Sequence, residues 1–229
     1  MPLNRQIPLR IDVQGQQPER SSAIADQWSN ACIANPRLFD GSILAVRAFD
    51  GAGSRIDAYP ERFAHVVCPP PSRVMRTTIL SVTGVIEAVL NDQRCVLLAK
   101  RGSQTRSYPG MWEFAPAGGL HPADNSAVLS LEDVLKTLNA ELSEEVGIDR
   151  DITNAQSIGV VADVQASSMD IVVRAAIPGS APKITIHGEH AWECADARWV
   201  PIEKLDMFLK SADGGVIGPT WAIARHLGW

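Results

Sequence analysis

The chain has 229 residues, 45% of them hydrophobic and 21% charged, which describes a globular protein long enough for one large domain or two small ones and excludes disorder and collagen-like order. Lys plus Arg number 21 against 26 Asp plus Glu, for a net charge of -5, so there is no global positive field to draw the chain onto nucleic acid or anionic lipid. A phosphate-bearing ligand therefore needs local help, and a metal ion is the obvious helper.

The longest apolar candidate, Thr78 to Leu90, is broken by Thr83, Gly84 and Glu87 and falls short of the roughly 18 to 20 residues of a membrane span. The opening MPLNRQIPLR has two Arg and two Pro but no apolar core of a secretory signal. Cys32, Cys68, Cys95 and Cys194 lie far apart with no metal-binding spacing, so they are expected to be free thiols in a reducing cytoplasm.

In chain order, Ile7 to Val13 alternates as a strand, Pro18 to Asn35 has helical spacing through Ile24, Trp28, Ala31 and Cys32, and Ser42 to Phe49 and Arg62 to Cys68 read as further strands. Pro69, Pro70 and Pro71 can continue neither a helix nor a ladder, which sets a boundary between a small α/β unit, residues 1–71, and a larger domain, residues 72–229. Thr78 to Leu90 and Cys95 to Arg101 make a hairpin around Asn91 and Asp92, residue types that tolerate turn geometry. A Gly- and Pro-rich stretch, Gly102 to Pro122, follows, anchored by Trp112 and Phe114. Leu131 to Glu145 is a helix: Leu131, Val134, Leu135, Leu138 and Leu142 keep the 3.6-residue period, Ser130 and Asp133 can cap it and Gly147 stops it. Strands at Ser157 to Val164, Met169 to Ile177 and Ala197 to Pro201 precede two closing helices, Ile202 to Ser211 and Pro219 to Leu227.

The face of the Leu131 helix opposite its leucines carries Glu141, Glu144 and Glu145. Positions four apart share a face, so Glu141 and Glu145 stand one turn apart with Glu144 beside them. The three repel one another, and they lie in the last turn, where the helix dipole disfavours negative charge. Taken alone, such a group is either a solvated acidic face or a site for a hard cation such as Mg²⁺, which takes oxygen ligands.

The run AELSEEVGI, Ala140 to Ile148, resembles the second half of the Nudix box, R-E-U-x-E-E-x-G-U with U aliphatic, lacking only the leading Arg. Gly118 and Gly119 match the glycines that open the box, and Glu132 matches its first Glu. CVLLAKR, YPGMWEF and RWVPIEKL look like the customary surroundings, so the resemblance covers Thr78 to the end. Twelve residues separate Gly119 from Glu132 where the box has five, an insertion in HPADNSAVLS expected to reshape a substrate-facing rim. Glu132 lies about 180° from Glu141 on an ideal helix and reaches a shared metal only if the first turn bends. Trp28, NPRLFDGSILAVRAF and GGLHP are similar to the branch that hydrolyses UDP-glucose and UDP-galactose.

The resemblance implies an α/β (α+β) fold, a Nudix α/β/α sandwich with a mixed sheet, and a diphosphatase for a nucleoside diphosphate linked to another moiety. A UDP-sugar split into UMP and sugar 1-phosphate leads; ADP-ribose or another nucleotide, or a degenerate domain that binds nucleotide without hydrolysis, are the alternatives. It implies Mg²⁺ or Mn²⁺ on Glu141, Glu145, Glu144 and the Gly118 carbonyl, and a general base among the metal-site carboxylates or in the loop HGEHAWEC, where Glu193 and then Glu189 are candidates. Lys100, Arg101 and Arg106 are candidate phosphate contacts, or else solvated charges. Trp112 is a candidate stacking surface or else a core anchor. His187 and His190, three apart in a loop, read as polar loop residues. The expected partner is a small nucleotide, with neither nucleic acid nor membrane, and the resemblance allows a homodimer.

Overall fold

The structure, a computed structural model, describes residues 1, 8–72, 76–122, 127–186, 188 and 192–229. Its frame is a mixed sheet of eleven strands. The first part of the chain supplies β1 (Arg10–Val13), β2 (Ser42–Asp50) and β3 (Arg55–Arg62), with helices α1 (Ala25–Ala34) and α2 (Phe63–Val67). β3 pairs with β1 in parallel and with β2 antiparallel. The rest supplies β4 (Ile79–Leu90), β5 (Gln93–Arg101), β6 (Trp112–Phe114), β7 (Ala117–Gly119) and β8 (Val128–Ser130), then α3 (Leu131–Val146). It ends with β9 (Thr153–Asp163), β10 (Ser168–Ser180), β11 (Cys194–Pro201), α4 (Leu205–Ser211) and α5 (Gly218–His226).

β4 is the hub of the sheet. It pairs with β5 through a turn in which Asn91 and Asp92 have φ of 49° and 61°, the two positive values that a tight two-residue hairpin demands. It also pairs with β7 and, in parallel, with β10. On one face α3 buries Val134, Leu138 and Leu142 against Leu80, Val82, Ile86 and Leu97. Each of these fully buried side chains contributes about 1.5–3 kcal/mol relative to exposure. On the other face Leu205, Leu209 and Ile223 of α4 and α5 pack against Val85, Val96, Leu98, Trp112 and Phe114. The alternation of β4 and β5 residues between these two cores makes the α/β/α sandwich.

Two elements differ from the sequence reading. Arg62 to Cys68 is not a strand: residues 63–67 form α2, because Asp40 Oδ1 accepts the Ala64 N–H at 3.0 Å and caps the turn, while Ala64 and Cys68 pack against Ile24 and Trp28. A cap 24 positions upstream leaves no local signal. β3 lies outside the sequence reading because Asp57 and Pro60 are poor strand formers, although Ile56, Ala58 and Pro60 alternate inward as strand residues do. The insertion also departs from expectation. Its final residues form β8, which pairs antiparallel with β1, Leu129 opposite Ile11, rather than lying free on a substrate rim; residues 123–126 lie outside the described residues.

The sheet runs on across the expected boundary at Pro69 to Pro71. Ala45 pairs with Ile79, Leu44 N–H donates to the Leu120 carbonyl at 2.9 Å and Val46 N–H to the Thr78 carbonyl at 2.8 Å. The four cysteines are free; Cys68, Cys95 and Cys194 are buried. Among the described residues no helix is long and apolar enough to cross a membrane.

Candidate active site

The last turns of α3 face the short strand β7. α3 is fixed at both ends: Ser130 and Asp133 form a reciprocal capping box, and Gly147, at φ 64°, closes it in the left-handed conformation that glycine adopts without strain. This locks the rotation that buries Leu138 and Leu142 and turns Glu141 and Glu145 toward Gly118. A methyl group on Gly118 would collide with the Glu141 carboxylate, so glycine is what lets the carboxylate and the β7 backbone approach. The Ala117 N–H hydrogen-bonds the Glu145 carboxylate.

These carboxylates share a cavity of about 320 Å³ with Gly118, Gly119, Arg101 and Glu193. Burial, and then the charges of Glu144 and Glu193, push Glu141 up to about 7. Burial, then Glu141 and Glu113, hold Glu145 well above the usual carboxylate range. The opposing cation is Arg101, which donates to Glu113 Oε1 at 2.5 Å. Burial pulls its pKa down, but Glu113, Glu145 and Glu193 outweigh that and keep it charged. Arg101 thus supplies positive charge beside the carboxylates from β5, where the sequence has Ala140 in an exposed position on α3.

One guanidinium does not balance this set. Glu141 and Glu145 are hard oxygen donors, desolvated, mutually repelling and aimed at a cleft, which is the donor chemistry a divalent cation fits. They are not fully assembled: among the described residues, no three His, Cys, Asp or Glu side chains converge on one point ready for a metal.

A second cavity of about 240 Å³ adjoins the first across Gly118 and Gly119, and Arg101, Arg106 and Phe63 border both. Arg106 stacks over Phe63 at 5.6 Å and donates to the Ala166 carbonyl at 3.0 Å. Burial and then Arg101 lower its pKa, so two guanidinium groups face one space and an anion between them relieves both. The second cavity has a mixed lining in which Phe63, Ile79 and Val82 stand beside Tyr108, whose hydroxyl donates to Asp163 Oδ1 at 2.7 Å, and Asp170, pushed up to about 6 chiefly by burial.

Of the residues singled out in the sequence, Glu141, Glu145, Glu193, Gly118, Arg101 and Arg106 come together in this cleft. Glu144 is exposed on the rim and acts on Glu141 through its charge. Glu132 is not part of the group: its side chain is 81% exposed near Lys136, and the capped first turn of α3 does not bend. Two candidates are corrected. Trp112 has no exposed surface; it packs edge-on against Phe208 at 5.1 Å and its Nε1 donates to the Asp213 carbonyl, so it is a core anchor. Lys100 pairs with Asp213 at 2.5 Å and lies on the face of β5 opposite Arg101, since neighbouring residues on a strand point opposite ways. Glu189, His187 and His190 lie outside the described residues.

Sequence reasoning missed Glu113, Asp163 and Asp170. Glu113 had a signal: a charged residue between Trp112 and Phe114 must face the other side of its strand, and there it meets Arg101.

The NUDIX domain model matches residues 80–217, more than half of the chain. The chain belongs to the NUDIX domain family. Solved Nudix structures resemble the chain at low identity. The NUDIX domain of Shewanella oneidensis NrtR, complexed with ADP ribose, is 16% identical over 72% of this chain and 96% of its own, with a TM-score of 0.50. A NUDIX hydrolase from Alicyclobacillus acidocaldarius is 15% identical over 66% and 90%, with a TM-score of 0.49. The bifunctional NMN adenylyltransferase/ADP ribose pyrophosphatase of Francisella tularensis, complexed with AMP and a Mn ion, is 16% identical over 68% of this chain and 42% of its own, with a TM-score of 0.47. No curated protein sequence matches the chain.

In this Nudix site, Gly118→Ala is expected to lower kcat by about tenfold or more while barely changing the melting temperature. Gly118 is not among the residues with positive φ, so alanine meets no backbone strain, and its methyl displaces only the flexible end of Glu141. Steady-state kinetics beside a thermal melt checks this.

Proposed function

We propose that this Nudix hydrolase cleaves a UDP-sugar into UMP and sugar 1-phosphate with Mg²⁺. The observation that carries the reading is the two-chambered cleft pinched at Gly118 and Gly119, with Glu141 and Glu145 on one side and Arg101 and Arg106 at the waist. A substrate made of two moieties joined by a diphosphate matches that shape: one moiety per chamber and the anhydride between. Among the apolar side chains of the smaller chamber, Ser81, Ser168 and Tyr108 offer hydroxyl groups that a sugar could hydrogen-bond. The N-terminal segment that resembles the UDP-sugar branch forms a wall of the larger one through Arg37 and Leu38. We assign residues 1–71 as a substrate-selecting extension of the Nudix domain, 72–229, and place the chain in the cytoplasm, where its free thiols persist.

In this mechanism Glu141 and Glu145 would hold the cation, with the Gly118 carbonyl and Glu144 as further oxygen donors. A bound divalent cation neutralises phosphate oxygens and lowers the pKa of a water ligand. Arg101 and Arg106 grip the remaining phosphate oxygens and fix the anhydride. Glu193 takes the proton of the attacking water as its oxygen adds to phosphorus and the bond to the bridging oxygen breaks.

A panel of UDP-glucose, UDP-galactose, ADP-ribose, a dinucleoside polyphosphate and an oxidised nucleoside triphosphate, followed by phosphate release after phosphatase coupling, tests the reading. Turnover of the UDP-hexoses above the others is expected. Brisk turnover of ADP-ribose or another member without UDP-hexoses moves the assignment to that substrate. Binding with no turnover at all makes the domain a nucleotide sensor, a reading that Ala140 and the incompletely assembled carboxylates favour.

A further inference from the structure

The N-terminal part of the chain places a cation in the catalytic cleft that the Nudix box does not account for. Arg37 lies in the segment that follows α1. That segment is tied down on both sides: Asn35 Nδ2 donates to the Gln104 carbonyl at 3.1 Å, Asn35 Oδ1 accepts the Arg37 N–H at 3.0 Å, and Leu38 packs on the cluster of Ile24 and Trp28. The guanidinium of Arg37 lies over the Trp192 ring, 5.2 Å from its centroid, and both side chains line the cavity that holds Glu141 and Glu145. A guanidinium over an aromatic face gains cation–π attraction while its planar N–H groups remain available to the fork geometry of phosphate oxygens. Among the described residues no hydrogen bond or ion pair engages them.

The position of Arg37 adds a second argument. Outside the carboxylate cavity the cleft continues into a groove of about 580 Å³ between the segment after α1 and the loop of Ser103, Gln104 and Thr105, and Arg37 borders both spaces. A substrate that spans from the carboxylates outward passes this residue. Arg101 and Arg106 stand at the inner waist, so Arg37 is the cation on the outer side.

We propose that Arg37 is a substrate-binding residue, and that its guanidinium, placed over the ring of Trp192, forks onto phosphate oxygens of the diphosphate that Arg101 and Arg106 leave free. Trp192 is the positioning residue for it. The N-terminal unit thereby completes the active site of the Nudix domain. This rests on the reading of the cleft as a diphosphate site.

The test uses the full chain and its R37M, R37K and W192L variants. Binding of inorganic pyrophosphate and of UDP-glucose, each with Ca²⁺, is measured by calorimetry, and KM and kcat are measured for whichever panel substrate is turned over. R37M is expected to weaken pyrophosphate and UDP-glucose binding by about tenfold and to raise KM by a similar factor with kcat held within about twofold, the signature of lost binding shared by ground and transition states. R37K, which keeps the charge and loses the fork, falls between, and W192L shifts in the same direction by less. Because Arg37 is exposed, the melting temperature of R37M stays that of the parent. Unchanged affinity and KM in R37M overturns the proposal, as does a parent protein that binds no pyrophosphate. Failure of the UDP-sugar assignment has a different signature: no UDP-hexose turnover, with pyrophosphate binding and its dependence on Arg37 intact.

Discussion

Replacing Glu145 by Gln is expected to cut turnover by about a hundredfold or more while the metal-free protein melts no lower than its parent. The two halves of that result have one cause. Glu145 is half-buried, and desolvation first, then Glu141 and Glu113, disfavour its negative charge, so the metal-free folded protein holds a proton or an unfavourable charge there until a cation arrives. Gln has nearly the same volume, opens no cavity and can still accept the Ala117 N–H, so the fold loses nothing and sheds a repulsion. What is lost is one anionic oxygen donor. Melting curves with and without 10 mM Mg²⁺ separate the effects: a ligand that binds only the folded state raises the melting temperature, and that rise is expected to shrink sharply in E145Q. A parent-like rate in E145Q removes Glu145 from the mechanism. A large drop in the metal-free melting temperature shows instead that its charge is structural.

The fold was legible where the signals were local. The hairpin at Asn91 and Asp92, the capped helix from Leu131 to the Gly147 stop and the carboxylate pair one turn apart each need only a few neighbouring residues to be read, and the structure holds all of them. What escaped depends on partners distant in sequence. α2 exists because Asp40 caps it, and β8 because β1 offers an open edge. The site divides in the same way. Glu141, Glu145 and Gly118 follow from the box pattern. Which face of β5 reaches the cleft does not, since Lys100 and Arg101 are equal as sequence and opposite in space. Trp112 and Glu113 invert expectation together: the aromatic is core and the acid beside it faces the cleft because a three-residue strand alternates. Arg37 was beyond reach, because its value comes from a loop of one unit meeting a tryptophan 155 positions later.

Activity at limiting Mg²⁺ is expected to rise with pH through about 7, with a midpoint that falls as the metal concentration is raised. Glu141 sets this midpoint, since it is pushed up from 4.5 to about 7 by burial and then by Glu144 and Glu193. Protons and the cation compete for the same oxygens, so more metal displaces the proton at lower pH. The sign for stability is opposite. Between pH 4.5 and about 7 the folded, metal-free protein keeps a proton on Glu141 that the unfolded chain has released, so folding stability conferred by this group is full below 4.5 and is lost as pH rises through 7. Profiles of kcat/KM from pH 5.5 to 9 at two metal concentrations, and denaturant melts of the metal-free parent and E141Q over the same range, check both. E141Q has no carboxylate to ionise, so the parent is expected to lose stability relative to it as pH rises. A stability difference between the two that does not change with pH, or a kinetic midpoint that ignores the metal concentration, shows that Glu141 is not the group competed for, and leaves Glu145 or Glu193 as the proton-sensitive carboxylate of the cleft.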